Sequence, residues 1–400
     1  MKDNGLPLAG LKIIDAATMF AAPWAATYLA DFGAEVIKIE HPVTGDQIRR
    51  FGAVKDGVGI IWKTISRNKK CITLNLSQEE GKALFLRLVA EADILIENFR
   101  TGTLEKWGLG WDELQKVNPR LIMLRCTGFG QDGPYAKRGG FGTVAEAMSG
   151  FSSINGYPDT PPTLPPIPLA DGVTSVFAAL SIMIAVYERD VLGSGKGQII
   201  DISLYEPLMR LMETSIVEYS VLGTVPKRVG NRIAGAAPRN VYLCKDNKWV
   251  AVSASSQPIA ENVFRAIGRP DLITDPRFKD NPSRINNVEE LDRIISQWML
   301  EHTMQDVVDI LLGVGAVVGP IYEIDQIGND PQVAYRESIV GIEDPDFGEV
   351  LMSNVMAKFS RTPGMIKHTG PAKGQHNAEI YKSLGLSSEG IDQLRRSGVI

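Results

Sequence analysis

The sequence predicts an α/β fold: a large domain with a parallel sheet flanked by helices, followed by a smaller α/β domain. Two observations carry this. Up to about residue 126, short apolar runs of strand length alternate with stretches of helical period. Beyond about residue 240, a hairpin pattern and further helical stretches form a second, shorter group.

In chain order, LKIID (11–15) reads as a buried strand, AAPWAATYLADFG (21–33) as a helix ending at Gly33, and AEVIKIE (34–40) as the next strand. CITLNL (71–76) and DILIENF (93–99) are strands around the helical GKALFLRLVAEA, with Ser77 and Glu80 as its capping box. Helical segments over Gly102–Val117 lead to the strand LIMLRC (121–126). Residues 127–168 are rich in glycine and proline, with one helix expected in TVAEAMSG. A long helix follows Asp171, then the strand GQIIDISL (197–204) and the helical YEPLMRLMETSIVEYSVL. This places a large domain over 1–224, a polar, basic linker over 225–240 and a small domain over 241–325. The small domain has the hairpin NVYLC and KWVAVSA and helices near 258–267, 290–300 and 303–312, the last capped by Thr303. Residues 326–400 are loop-rich and close with two short helices.

Composition narrows the function. The 400 residues are 44% apolar and 22% charged, ordinary for a soluble globular chain. A net charge of -5 argues against a general nucleic-acid binder. Cys71, Cys126 and Cys244 lack zinc or disulfide spacing and read as reduced thiols of a cytoplasmic protein. The N-terminus has no apolar signal core, and the longest apolar stretch, 176–187, is too short for a membrane span. His41, His302, His368 and His376 show no metal-ligand spacing.

Familiar motifs fail on context. GVGAVVG (313–319) runs into a strand rather than opening a helix, and GSGKG (193–197) follows a helix and precedes a strand, the reverse of a phosphate loop. The first βα turn, DAATMFAAP, lacks the glycines that admit a pyrophosphate. No GxSxG elbow is present. Attention then falls on Asp171, alone between the proline-rich PPTLPPIPLA and an apolar helix. Local sequence favours a plain helix N-cap. The same position also suits a nucleophile, because a helix N-terminus holds a carboxylate ionised and presents N–H groups to an oxyanion.

Ordered segments along nearly the whole chain resemble the family III coenzyme A transferases, typified by formyl-CoA transferase and carnitine CoA-transferase. They are LAGLKIID with ADFGAEVIKIEHPVTGD, SRNKKCITLNL, ADILIENFRTGTLEKWGLGWDELQKVNPRLI, GFGQDGPY, LADGVTS, GKGQIIDISLYE, and GRPDLITDPRF with Arg284 and Asn287. The resemblance implies that Asp171 is a covalent nucleophile passing through anhydride and aspartyl-CoA intermediates. No cofactor is bound permanently; the CoA thioester is a substrate. Its contacts are implied at His41, Leu74, Asn98, Phe99, Arg100, Lys106, Lys137 and Arg138. The fold implied is a ring-shaped chain in an interlocked homodimer, or a heteromer with a homologous subunit, with the C-terminal tail returning to the large domain.

PDTPPTLPPIPLADG and GFGTVAEAMSGF look more like members that use succinyl-CoA and dicarboxylic acids than like carnitine enzymes. Two alternatives compete. An α-methylacyl-CoA racemase of the same superfamily has a histidine where this chain has Phe141, and without that second base proton exchange is disfavoured. The other is a non-catalytic CoA-thioester binding protein.

Overall fold

The computed structural model of the chain describes residues 5–400. It divides into two units. The first comprises residues up to Phe151, Leu164–Gly223 and Gln332–Ile400; the second comprises Ser152–Thr163 and Thr224–Pro331.

The first unit is built on a six-stranded sheet. Its elements begin with β1 (Lys12–Asp15), α1 (Ala21–Asp31), β2 (Glu35–Glu40), β3 (Lys69–Thr73), α2 (Glu79–Glu91), β4 (Ile94–Glu97) and β5 (Ile122–Thr127). They continue with α3 (Gly142–Met148), α4 (Leu169–Val186) and β6 (Ile199–Ser203). The strand order is β3-β2-β1-β4-β5-β6, and every neighbouring pair is parallel. Parallel strands need crossovers, which cover both faces. Ile13, Ile94, Ile96, Ile122 and Leu124 point to one face, beneath α1 and α4. Ile14, Leu95 and Met123 point to the other, beneath α2 and residues near the C-terminus such as Ile380 and Tyr381. The period-two alternation along each strand produces these two cores.

α1 and α4 pack closely because both present small residues. Ala21, Ala22, Ala25 and Ala26 line α1, and Ala170, Thr174, Ala178 and Ile182 line α4. With its final turn to Val191, α4 is long and apolar enough to cross a membrane by length and composition alone. The sequence had suggested a shorter apolar stretch. Here one stripe of that helix serves the core.

The second unit is smaller. Its sheet joins β7 (Arg239–Leu243), β8 (Trp249–Ser253) and β9 (Val317–Pro320), antiparallel, with β8 in the centre. The helices Gln257–Ala266, Val288–Met299 and Met304–Gly313 complete it, the last with the expected Thr303 cap, a reciprocal box with Asp306. Buried Arg284 explains a motif position: it donates to the carbonyl of Ala237 and to Gln257 Oε1. The stretch 225–240, read as a linker, belongs to this unit, with Ala237 and Pro238 buried and the rest exposed or half-exposed. Arg228 donates to the carbonyls of Tyr157 and Thr160, which also holds 152–163 in the second unit rather than the first.

From Gln332 the chain belongs to the first unit again. A hairpin, Ile339–Asp344 with Gly348–Ser353, interrupts the expected loop. The closing helices Asn377–Ser383 and Ser388–Arg396 follow. Asn377 pairs with edge strand β3 by accepting from the Thr73 N–H and donating to Thr73 Oγ1, at 2.8 and 2.7 Å. That occupies an edge otherwise open to another strand.

Candidate active site

Strand order reverses between β1 and β4, and open α/β sheets bind ligands at such a point, beyond the carboxyl ends of the strands. A cleft of about 610 Å³ lies there. Its walls come from the segments after all six strands: Ala16–Ala21 excepting Ala17, Glu40–Gln47 in part, Leu74–Ser77, Asn98–Thr101, Cys126–Gly128 and Leu204. The loop residues Arg138–Phe141 and Asp171 complete it.

Asp171 is not a helix cap. α4 begins two residues earlier, after Pro168, so Asp171 lies in the first turn. The backbone N–H groups of Ala21, the first residue of α1, and of Asp171 itself favour its ionised form. Two helix N-termini therefore converge on one carboxylate, which favours the charge. Burial outweighs them. Together with the negative charge of Glu146, it pushes the Asp171 carboxyl from 3.8 up to about 6. The group is ionised at neutral pH but is a stronger base than a surface aspartate.

Two neighbours on α3 shape this position. A methyl group on Gly142 would overlap Asp171 Oδ2 and approach its Cγ to 3.2 Å, so the glycine makes room for the carboxylate. One turn later, buried Glu146 accepts from the Ala170 N–H at 3.3 Å. Neither residue was singled out from the sequence. The available signal was their spacing of four in a short helix, which puts both on one face.

The loop that delivers the Ala21 N–H is held at successive residues. Ala17 N–H donates to Asp15 Oδ1, and its carbonyl accepts from buried Lys38. Asn98 accepts from Thr18 N–H at 2.8 Å and donates to the Thr18 carbonyl at 2.7 Å. Met19, with φ at +67°, donates to Asp46 Oδ1. Asn98, expected as a CoA contact, thus has its amide committed to this loop.

Of the other expected contacts, His41, Leu74, Phe99, Arg100 and Arg138 line the cleft together with Asn98 and Asp171. His41 Nδ1 accepts from the N–H groups of Val43 and Thr44. Phe99 meets Trp107 edge to face, and Arg138 stacks 3.6 Å over the ring of Tyr135. Lys106 and Lys137 are exposed and are not among the lining residues. Cationic and aromatic groups thus rim a cleft with a partly buried carboxylate at one wall, an arrangement suited to a phosphorylated, partly apolar ligand.

The family model for CoA-transferase family III matches residues 8–377. The chain is 42% identical over 396 residues to a succinyl-CoA–D-citramalate CoA-transferase of Chloroflexus aurantiacus, covering 98% of each chain. It is 40% identical over 400 residues to the beta subunit of a succinyl-CoA–L-malate CoA-transferase of the same organism, covering 99% of this chain and 98% of that one. Among solved structures, a CAIB/BAIF family protein from Brucella suis superposes with a TM-score of 0.85 at 31% identity, covering 95% of this chain and all of that one. The strand topology, the cleft and these likenesses agree, and the chain belongs to CoA-transferase family III, enzymes that act on CoA.

Proposed function

We propose that this CoA-transferase moves CoA from succinyl-CoA to a dicarboxylic acid, with Asp171 as covalent nucleophile. The observation that carries the mechanism is a partly buried carboxylate at the cleft wall, in the first turn of α4 and facing the N-terminus of α1, with its pKa pushed up to about 6. The donor and acceptor class rests on relatives that are named for succinyl-CoA with citramalate or malate.

The steps balance without added cofactor. An Asp171 carboxylate oxygen attacks the thioester carbonyl; the C–S bond breaks and CoA leaves as thiolate, giving a mixed anhydride. The thiolate attacks the Asp171 side-chain carbonyl, succinate leaves, and an aspartyl-CoA thioester remains. The acceptor carboxylate then displaces the thiolate, and the thiolate takes the acceptor acyl group and frees Asp171. An anhydride retains the activation of a thioester, so no nucleotide is consumed. While the aspartyl carbonyl is the electrophile, the N–H groups of Ala21 and Asp171 stand ready to receive its oxyanion. The rim supplies Arg100, Arg138 and Phe99 for the phosphates and adenine of CoA.

The functional form in this reading is an intertwined dimer, or a pairing with a homologous subunit such as the subunit name of one relative implies. Val176, Leu180, Ile184, Tyr187 and Val191 form an exposed apolar stripe along α4, and the helix Glu213–Leu222 buries no residue in this chain. Such faces favour coverage by another chain. Three buried free thiols fit a reducing, cytoplasmic setting.

The test is an acceptor screen with succinyl-CoA and acetyl-CoA as donors, read by mass spectrometry. New CoA esters of dicarboxylic acids, formed from succinyl-CoA, are expected. Transfer confined to monocarboxylic acids, or α-proton exchange in deuterated water without an acceptor, contradicts the reading. Sedimentation that finds a folded, active monomer contradicts the dimer.

A further inference from the structure

We infer that Glu146 is a positioning residue for the nucleophile: its carboxylate fixes the first turn of α4 through the Ala170 N–H, and its negative charge destabilises ionised Asp171 relative to acylated Asp171. This rests on the reading of Asp171 as the nucleophile.

The geometry is built for it. Glu146 is 3% exposed and bonds the residue immediately before Asp171. Gly142, one turn earlier on the same face of α3, leaves space for Asp171 Oδ2. A buried carboxylate beside a second, partly buried one is costly, because like charges in a poorly solvated site repel strongly. Acylation replaces the Asp171 carboxylate with a neutral anhydride and later a neutral thioester. The repulsion is then gone. Glu146 takes up no proton and touches no reacting bond; it acts through the energy of the free carboxylate.

The surroundings single out Glu146. β5 brings the Cys126 thiol, which burial, then Asp171 itself, pushes far above its ordinary range, so it stays neutral. α1 brings the Ala21 N–H and the Trp24 ring. β6 and the helix Glu206–Leu211 also pack on α4 and carry Asp201, Glu206 and Arg210, while Glu40, His41, Asp46, Arg100 and Arg138 line the cleft. Of all these charges, that of Glu146 bears on Asp171.

The experiment incubates the full-length enzyme with succinyl-CoA without acceptor and measures the trapped adduct against pH. Glu146→Gln keeps an acceptor for the Ala170 N–H and removes the charge. The acid limb of adduct formation is expected to move down by about half to one pH unit. The adduct fraction at pH 8 is expected to fall about three- to tenfold, since a tenfold change in equilibrium corresponds to one unit of pKa. Glu146→Asp, which restores the charge, returns the limb toward its original place. An unmoved limb in the glutamine variant, or identical glutamine and aspartate variants, overturns the inference. Should the glutamine variant not fold, carbon-13 carboxyl NMR of Asp171 in the wild-type enzyme decides: a second inflection in the Asp171 shift supports coupling to a neighbouring carboxylate, and a single inflection overturns it. An adduct on another residue removes the nucleophile reading itself, whereas an adduct on Asp171 with an unmoved limb removes only the role of Glu146.

Discussion

Asp171→Asn is expected to make the protein more stable and catalytically inert. The carboxyl is pushed from 3.8 to about 6, first by burial and then by Glu146. At about 1.4 kcal/mol per pH unit, the folded state carries about 3 kcal/mol of cost at neutral pH to keep this group ionised. The sign follows from proton binding. Between 3.8 and about 6 the folded chain holds a proton that the unfolded chain has released. The stabilising contribution is therefore complete below 3.8 and lost as pH rises through about 6. Asparagine resembles the protonated acid and keeps an oxygen facing the Ala21 N–H. The variant should exceed wild type by up to about 3 kcal/mol at pH 8, with the gap closing toward pH 4. Denaturant midpoints at matched protein concentration measure this, since association also shifts apparent stability. A variant no more stable than wild type at pH 8, or a gap that persists in acid, refutes the reasoning. Strain held at a working residue and released by its removal is the pattern expected of a functional site.

Other substitutions separate position from stability. Gly142→Ala drives a methyl group into Asp171 Oδ2, forcing the carboxylate to retreat on the order of 1 Å. Transfer should fall about 100-fold, with an unchanged thermal midpoint because alanine suits a helix better than glycine; near-normal turnover contradicts this. Arg138→Ala should raise KM for the CoA ester more than it lowers kcat, whereas Lys137→Ala, off the cleft, should change neither. Equal effects of the two would place the CoA phosphates elsewhere. Asn98→Ala frees both backbone groups of Thr18 and should lower kcat by loosening the loop that carries the Ala21 N–H; an effect on KM alone would make Asn98 a ligand contact instead.

The sheet was legible because each of its strands is a short segment centred on β-branched or other apolar residues, a pattern that needs no tertiary information. Glu146 was not, since its significance arises only when α3 packs on α4 and brings together residues 25 positions apart in sequence. Asp171 looked like a cap because Asp-Gly before an apolar run imitates a helix start. In the structure the helix starts at Leu169, directly after Pro168, with Ala170 buried in its first turn. Ser77 likewise imitated a capping box, but its hydroxyl and N–H both serve Asn75 Oδ1, and α2 starts after Gln78. Local turns of this kind compete with caps for the same donors. Lys106 and Lys137 were legible as cations but not as to direction, which only the folded backbone sets. The hairpin at 339–353 escaped notice because its strands mix charged and apolar residues without a clean alternation.

The central claim is that Asp171 forms the covalent intermediate. The most direct measurement is peptide mapping by mass spectrometry after the enzyme meets succinyl-CoA without acceptor and is quenched with hydroxylamine. The account predicts a hydroxamate on Asp171 in wild type and none in Asp171→Asn. A modification on a different residue, or normal transfer by the asparagine variant, contradicts it.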